Sequence, residues 1–396
     1  MASNSTTPSL QMFAFAPLGV WADILARGGG IESRYIGRAA QALLSSALSA
    51  PVRVYEKLRY SREISRVRLH ESPIFIMGYG RSGTTHLHNL LVQDPEHICI
   101  TTFQAMAPGL FLSGRRWLKP FMARHMPSVR PMDNVAVSVD APQEEEIAIA
   151  NMSRMSMLHH LSVPKKQEEF FRRYVLFEGL GERERRQWKR LYLEMLRKAT
   201  LAAGGGRLVL KSPTNLGRVP ALLEMFPRAR FVHIHRNPYE VFPSILNLYR
   251  RLLPAQQLHT VDHDTIKKKL LAHYRLMFER FYQDVALIPE GHFTEIRFDD
   301  LDREPIGTLE SLYETLDLGP FERTRTHVES YLTSLGRFKK NRFEPDPILM
   351  KEVEEHWGFA INRWGYHPPT PHPHSKRAGE ASIHRSNARE SVCGQQ

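Results

Sequence analysis

Eight consecutive residues, Gly78-Tyr79-Gly80-Arg81-Ser82-Gly83-Thr84-Thr85, combine backbone freedom with polar side chains in a way that suits an oxyanion. They follow a short apolar run, Ile74-Phe75-Ile76-Met77, and precede Leu87, Leu90 and Leu91, whose spacing marks a helix. A strand, a glycine turn and a helix in that order point backbone N–H groups and the positive end of the helix at a phosphate-like group. Gly78 and Gly83 are spaced like the glycines of G-x-x-x-x-G-K-[ST], but Thr84 stands where the lysine belongs. That lysine reaches the β- and γ-phosphates of a nucleoside triphosphate, so kinase or NTPase chemistry is disfavoured. Arg81, inside the loop, offers a forked guanidinium instead.

Two further cations fall at strand ends. Phe231-Val232-His233-Ile234-His235 reads as a buried strand and runs into Arg236-Asn237-Pro238, where Asn237 suits a helix N-cap and Pro238 the first helical position. Arg236 then sits at the strand's carboxyl end, with Ser244 two turns into the next helix, and the two are suited to a doubly charged phosphate. Lys211 ends the run Arg207-Leu208-Val209-Leu210. Gly78, Lys211 and Arg236 thus converge on the carboxyl edge of a parallel sheet, where open α/β sheets bind ligands.

The stretch Gly80-Arg81-Ser82-Gly83-Thr84-Thr85 resembles the 5′-phosphosulfate loop of sulfotransferases that use 3′-phosphoadenosine-5′-phosphosulfate (PAPS). Family members carry Pro-Arg-Ser-Gly-Thr-Thr or Pro-Lys-Ser-Gly-Thr-Thr there, and Gly80 replaces the proline without removing a ligand-contacting side chain. The resemblance, to a bacterial-type branch, covers roughly residues 75–365. It implies PAPS as co-substrate; no metal is expected, because the transfer can rely on positive side chains and no strong metal-ligand motif is present. It places the 5′-phosphosulfate on Gly80, Arg81, Ser82, Gly83, Thr84 and Thr85. Arg236 and Ser244, separated as an arginine and a serine are in the family, would bind the 3′-phosphate, and Lys211 would stabilise charge as the sulfuryl bond breaks. Arg297-Phe298-Asp299-Asp300-Leu301 resembles the family's Arg-Tyr-Glu-Asp-Leu and reads as a fold marker. Arg337-Phe338-Lys339-Lys340-Asn341-Arg342 suits either a basic segment closing over the nucleotide or a solvated loop.

A hydroxyl acceptor calls for a general base. Relatives often place Glu or His shortly after the second strand, where this chain has Thr101-Thr102-Phe103-Gln104, and an amide cannot serve. Asp140-Ala141-Pro142-Gln143-Glu144-Glu145-Glu146 reads as a capped helix start. Glu144 and Glu146 fit a Pro-Gln-Glu-x-Glu pattern of a bacterial branch and are the expected catalytic carboxylates beside Lys211. Simple pairing of acid with a helix N-terminus explains the run equally. His86, His88 and His125 are further candidates.

The elements that must hold these groups alternate. Apolar runs at 73–78, 207–211, 229–235 and 292–298 read as strands, with helical patterns after Gly83, at about 216–225, after Pro238 and at about 265–287. The expected fold is α/β, a three-layer parallel sheet of P-loop type with helices on both faces and accessory N-terminal helices. Residues 1–70 form the accessory helical segment, 71–366 the sulfotransferase domain with a helical insertion over about 104–200, and 367–396 a disordered tail. Ala39 to Val52, apolar and flanked by arginines, suits the main domain, a second subunit or an anionic membrane surface.

The chain has 396 residues, a net charge of +12 and a pI near 9.7. That balance suits an anionic ligand, and no nucleic acid partner is expected. Two cysteines exclude a disulfide framework and fit a cytoplasmic compartment, with contact at a membrane face still open. No secretory signal or membrane-spanning run is present. The acceptor, a small molecule, carbohydrate or lipid with a hydroxyl or amine, is not readable. An atypical P-loop kinase and a non-catalytic, nucleotide-retaining basic protein are the alternatives.

Overall fold

The computed structural model describes residues 11–126, 138–335 and 346–369. Five strands, β1 (Ile74–Met77), β2 (His97–Ile98), β3 (Arg207–Lys211), β4 (Arg230–His235) and β5 (Phe293–Arg297), form one sheet in the order β2-β3-β1-β4-β5. Every pairing is parallel. Four strands coincide with the apolar runs. β2 has only two residues and carries too little pattern to stand out.

Alternation along the central strands divides the interior into two cores. Phe75, Met77, Leu208, Leu210 and Phe231 face the larger one, while Ile74, Ile76, Val209, Val232 and Ile234 face the smaller. Both faces of β1 are therefore buried, and its sequence is apolar throughout. The smaller core is closed by the helix α3 (Thr84–Leu91) through Leu87, Leu90 and Leu91, and by the helix Pro305–Thr315 through Leu309 and Leu312.

The larger core also takes in the N-terminal segment. Helix α1 (Leu18–Arg27) inserts Val20, Trp21 and Ile24, and α2 (Ile36–Arg66) contributes Ala39 and Ala42. The segment expected to be accessory thus shares the core of the sheet. The guanidinium of Arg53 ties α2 to the preceding segment, donating to the Phe15 carbonyl at 3.1 Å, and is itself steadied by the Ser46 carbonyl of the same helix (2.7 Å).

Several helix boundaries differ from expectation for local reasons. Asp140 does not cap the carboxylate run. Residues 141–143 stay extended, since Pro142 disfavours helix before it and Thr101 bridges Pro142 antiparallel. The helix starts at Glu145 and runs to Met152, and Asp140 instead pairs with Lys119 at 2.5 Å. The pattern at about 216–225 begins as a 3-10 turn, Pro213–Gly217, before the helix Val219–Met225. The helices Pro238–Gln256 and His263–Asp284 follow the remaining patterns, with Asn237 capping the first by accepting from the Tyr239 N–H at 3.2 Å. The basic run Arg337 to Arg342 and tail residues 370–396 lie outside the described residues.

Candidate active site

Strand register sets the frame. Ile76 of β1 pairs with Lys211 of β3 and Val232 of β4, so the loop after Met77, Lys211 and the end of β4 emerge at one edge. Within the loop, a Cβ on Gly78 would lie 2.6 Å from the Ile234 carbonyl oxygen and 2.8 Å from Thr84 Cγ2, so the backbone fits against β4 only without a side chain. Gly83 has φ +92°, and a Cβ there would lie 2.2 Å from the Phe298 ring. This turn launches α3, whose first residues have no side-chain cap, leaving a helix N-terminus for an anion.

Arg81 also lies in the left-handed region, at φ 75°. A non-glycine residue pays about 1–3 kcal/mol for such a conformation. The bend lets Arg81 Nε donate to Ser244 Oγ at 2.9 Å. Two residues expected to hold opposite ends of a nucleotide are therefore in direct contact. Ser82 and Thr84 are buried in the loop floor, and Thr85 is half-buried.

Arg236 leaves β4 and lies over the Phe298 ring at 4.6 Å. Its Nε and Nη2 donate to Glu240 Oε2 at 2.9 and 2.5 Å. Phe298, read from the sequence only as a fold marker, thus lies against both Gly83 and Arg236. Glu240 was not singled out, although an arginine followed four residues later by a glutamate at a helix start is a readable pairing signal. Arg297 and Asn237 fasten the same edge to the end of the helix Pro347–Trp364 and the residues just after it, donating to the carbonyls of Trp364 (2.7 Å) and His367 (2.9 Å).

The three consecutive carboxylates have three different engagements. Glu144, a quarter exposed, accepts from Lys211 Nζ at 2.7 Å, while the lysine is almost fully buried. Glu145 is buried and accepts from the Lys211 backbone N–H (3.0 Å), Asn215 Nδ2 (2.6 Å) and the Tyr192 hydroxyl (3.2 Å). Burial raises its pKa against the hydrogen bonds, with the Glu144 charge adding to the rise. Glu146 is fully buried in an ion pair with Arg218 at 2.5 Å and also accepts from Ser156 at 2.7 Å. Burial pushes the Glu146 carboxyl up, but Arg218 and these hydrogen bonds hold it below its ordinary value. The Glu146–Arg218 pair sits among Tyr174, Trp188 and Phe177, and the Glu146 oxygens are taken by Arg218, Ser156 and the Met157 N–H.

Most of the other base candidates are already engaged. Gln104 closes a capping box with Thr101, its Oε1 accepting from the Thr101 N–H at 3.0 Å. His88 is buried against the Val209 carbonyl at 3.1 Å, and burial, then the Lys211 cation, lower its pKa to about 3. His125 is exposed, with Nδ1 on its own helix at Phe121 O, 2.8 Å. His86 lies half-buried in the first turn of α3. Glu145 was overlooked because it stands between two named carboxylates. Its signal is an acid immediately after the cap of an otherwise apolar helix, Ile147-Ala148-Ile149-Ala150.

The site therefore has a glycine loop that ends in an uncapped helix N-terminus, a cation at the neighbouring strand end, and a lysine–carboxylate pair at the third. Residues 73–323 match the sulfotransferase family. The chain belongs to that family. As a sulfotransferase it transfers a sulfuryl group to an acceptor. It is 31% identical over 328 residues to omega-hydroxy-beta-dihydromenaquinone-9 sulfotransferase Stf3 of Mycobacterium bovis, covering 83% of this chain and 84% of that one. The Stf3 of Mycobacterium tuberculosis matches equally. Among solved structures, sulfotransferase STF9 from Mycobacterium avium superposes with a TM-score of 0.65 at 18% identity, over 88% of this chain and 96% of that one. STF1 from Mycobacterium tuberculosis gives 0.62 at 22%, over 79% and 85%. These sulfotransferases share the fold.

Proposed function

We propose that this sulfotransferase moves the sulfuryl group of PAPS to the hydroxyl of a lipid acceptor, with Lys211 and Glu144 as its catalytic pair. The observation that carries this reading is the 2.7 Å contact between Lys211 Nζ and Glu144 at the sheet edge that also presents the Arg81 loop. Arg81 and the backbone from Gly80 to Thr85 hold the 5′-phosphosulfate, and Arg236 with Ser244 holds the 3′-phosphate. The acceptor oxygen attacks sulfur, the bond from sulfur to the bridging oxygen breaks, and 3′-phosphoadenosine-5′-phosphate leaves. Glu144 takes the acceptor proton, while Lys211 turns from Glu144 toward the charge developing on the leaving phosphate. No step in this chemistry requires a metal. Glu146 has a structural part, since its two oxygens are taken by Arg218 and its neighbours.

The acceptor class is supported by the relative whose name specifies an omega-hydroxy dihydromenaquinone, a lipid with a hydroxyl group. Among the described residues no helix is long and apolar enough to cross a membrane. Calorimetry tests the donor: 3′-phosphoadenosine-5′-phosphate should bind far more tightly than ADP. Arg236→Ala should cost roughly ten- to hundredfold in affinity for the 3′-phosphorylated nucleotide and little for ADP. Equal affinity of the unaltered protein for the two nucleotides would overturn the assignment. Labelled PAPS incubated with lipid extracts tests the acceptor, and label confined to water-soluble products would exclude a lipid.

A further inference from the structure

Helix α2 directs several of its large apolar residues outward, although Leu43, Val52 and Ile64 turn toward the core or are buried. Its buried positions are Ala39, Ala42, Ser46, Ser49, Glu56 and Ile64, mostly small or polar. Its exposed positions include Leu44, Leu48, Tyr55 and Leu58, with Leu48 at 71% and Leu58 at 76% exposure. With Pro51 these recur at intervals of four and three, which lines them along one stripe opposite the buried face. A surface helix in water normally shows the reverse.

A second segment lies beside this helix. The Ser113 N–H donates to Glu56 Oε2 at 2.8 Å, and a Cβ on Gly109 would touch the Arg53 side chain at 3.0 Å. A few residues on, Trp117 and Phe121 are 54% and 52% exposed. Of the thirteen large apolar side chains exposed among the described residues, eight belong to α2 or to this pair. Isolated exposed leucines are ordinary, but such a concentration marks an interaction surface.

The charges choose the occupant. Lys57, Arg59 and Arg62 on α2, and Arg115, Arg116 and Arg124 around the aromatic pair, are all exposed. The only acids from Ile36 to Arg66 are Glu56 and Glu63, and residues 107–126 contain none. Glu56 is buried against Lys198 at 2.6 Å, and Glu63 pairs with Arg59 at 2.7 Å. A second copy of the same face would oppose cation to cation. An anionic lipid surface supplies what both components need: hydrocarbon for the leucines, headgroup depth for Trp117, and phosphate for the arginines.

We propose that α2 and the 115–124 segment dock this enzyme on an anionic bilayer. The buried side of α2 is one helix from the catalytic pair: Lys198, held by Glu56, lies on the helix Glu182–Ala203, which also carries Tyr192, the partner of Glu145. If the acceptor is a lipid, as proposed above, docking brings the site to its substrate, but the docking itself does not depend on that reading.

Vesicle co-sedimentation of the full chain tests it. Phosphatidylcholine vesicles containing phosphatidylglycerol should retain the protein, pure phosphatidylcholine should not, and salt should weaken retention. A Leu48→Glu, Leu58→Glu double variant should lose retention. Arg115→Ser with Arg116→Ser should weaken it on the order of tenfold or more, at roughly 1 kcal/mol per cation near an anionic surface. All four residues are exposed, and binding of 3′-phosphoadenosine-5′-phosphate serves as the check on folding. Equal retention on neutral and anionic vesicles, or none on either, would overturn the proposal. So would a dimer in sedimentation velocity that the leucine variant dissociates, which would make a second copy the occupant. Failure of nucleotide binding in the unaltered chain would count against the donor assignment and leave the docking result standing.

Discussion

Glu144 is the extended cap and Glu145 and Glu146 are the first two residues of the helix Glu145–Met152, so three identical side chains leave the backbone in different directions. Glu144 faces the Lys211 ammonium, Glu145 the Lys211 backbone, and Glu146 the guanidinium of Arg218. Substitutions should separate these parts. Glu144→Gln should lower kcat on the order of 10²- to 10⁴-fold with nucleotide affinity retained, measured by labelled sulfuryl transfer and calorimetry. Glu146→Ala should instead destabilise the fold by about 3–5 kcal/mol in urea unfolding, by stranding buried Arg218. Activity per folded molecule would then be largely kept. A Glu146→Ala protein that is stable but inactive would refute this division. Glu240→Gln should release Arg236 from its ion pair and tighten 3′-phosphoadenosine-5′-phosphate binding by up to about fivefold. The sequence identified the acidic run but could not divide it. The division depends on Arg218 and Lys211, which lie many residues away along the chain.

Among the elements, the loop of residues 78–85 was the most legible, because a strand, glycines and a helix leave a local pattern. The pairing of Arg81 with Ser244 was not legible in that way. It requires the left-handed turn at Arg81 and the parallel alignment of β1 with β4, neither of which a motif records. Phe298 was classified by its place in a strand-end pattern, while its contact with Gly83 arises from the packing of two loops. Gly83→Ala should therefore disturb the loop through both φ and the Phe298 clash. We expect loss of measurable nucleotide binding with the far-UV spectrum preserved. If nucleotide binding survived, the loop would not require this turn. The start of the carboxylate helix was misplaced by the sequence pattern because the Thr101–Pro142 bridge that keeps the preceding residues extended is a tertiary contact.

At the scale of the whole molecule, buried histidines set the response to acid. Burial, helped by the Lys211 charge, lowers the His88 pKa to about 3. Burial and then His233 hold His235 at about 3, and burial holds His160 at about 4 despite the Met157 carbonyl. Each binds a proton more readily in the unfolded chain, whose histidines titrate near 6.5. The unfolded state gains protons first as pH falls, so stability is full above about 6.5 and declines below it. The urea midpoint should drop between pH 7 and pH 5, by an amount equivalent to a few kcal/mol. A flat profile over that interval would contradict the burial of these rings. The sheet architecture and the gathering of Lys211 and Arg236 at one edge were readable because alternation and strand-end cations are local. The packing of α2 on the main domain was one of three readings left open, since small residues such as Ala39 and Ala42 give no directional signal to choose it. The pinned approach to the carboxylate helix also limits how the chain can vary. Pro142 is fastened to Thr101, and Glu145 to the end of β3, with only Gln143 and Glu144 between. An insertion or deletion there would hand the lysine a different residue, so natural variation at this point should change residue identity and leave length alone.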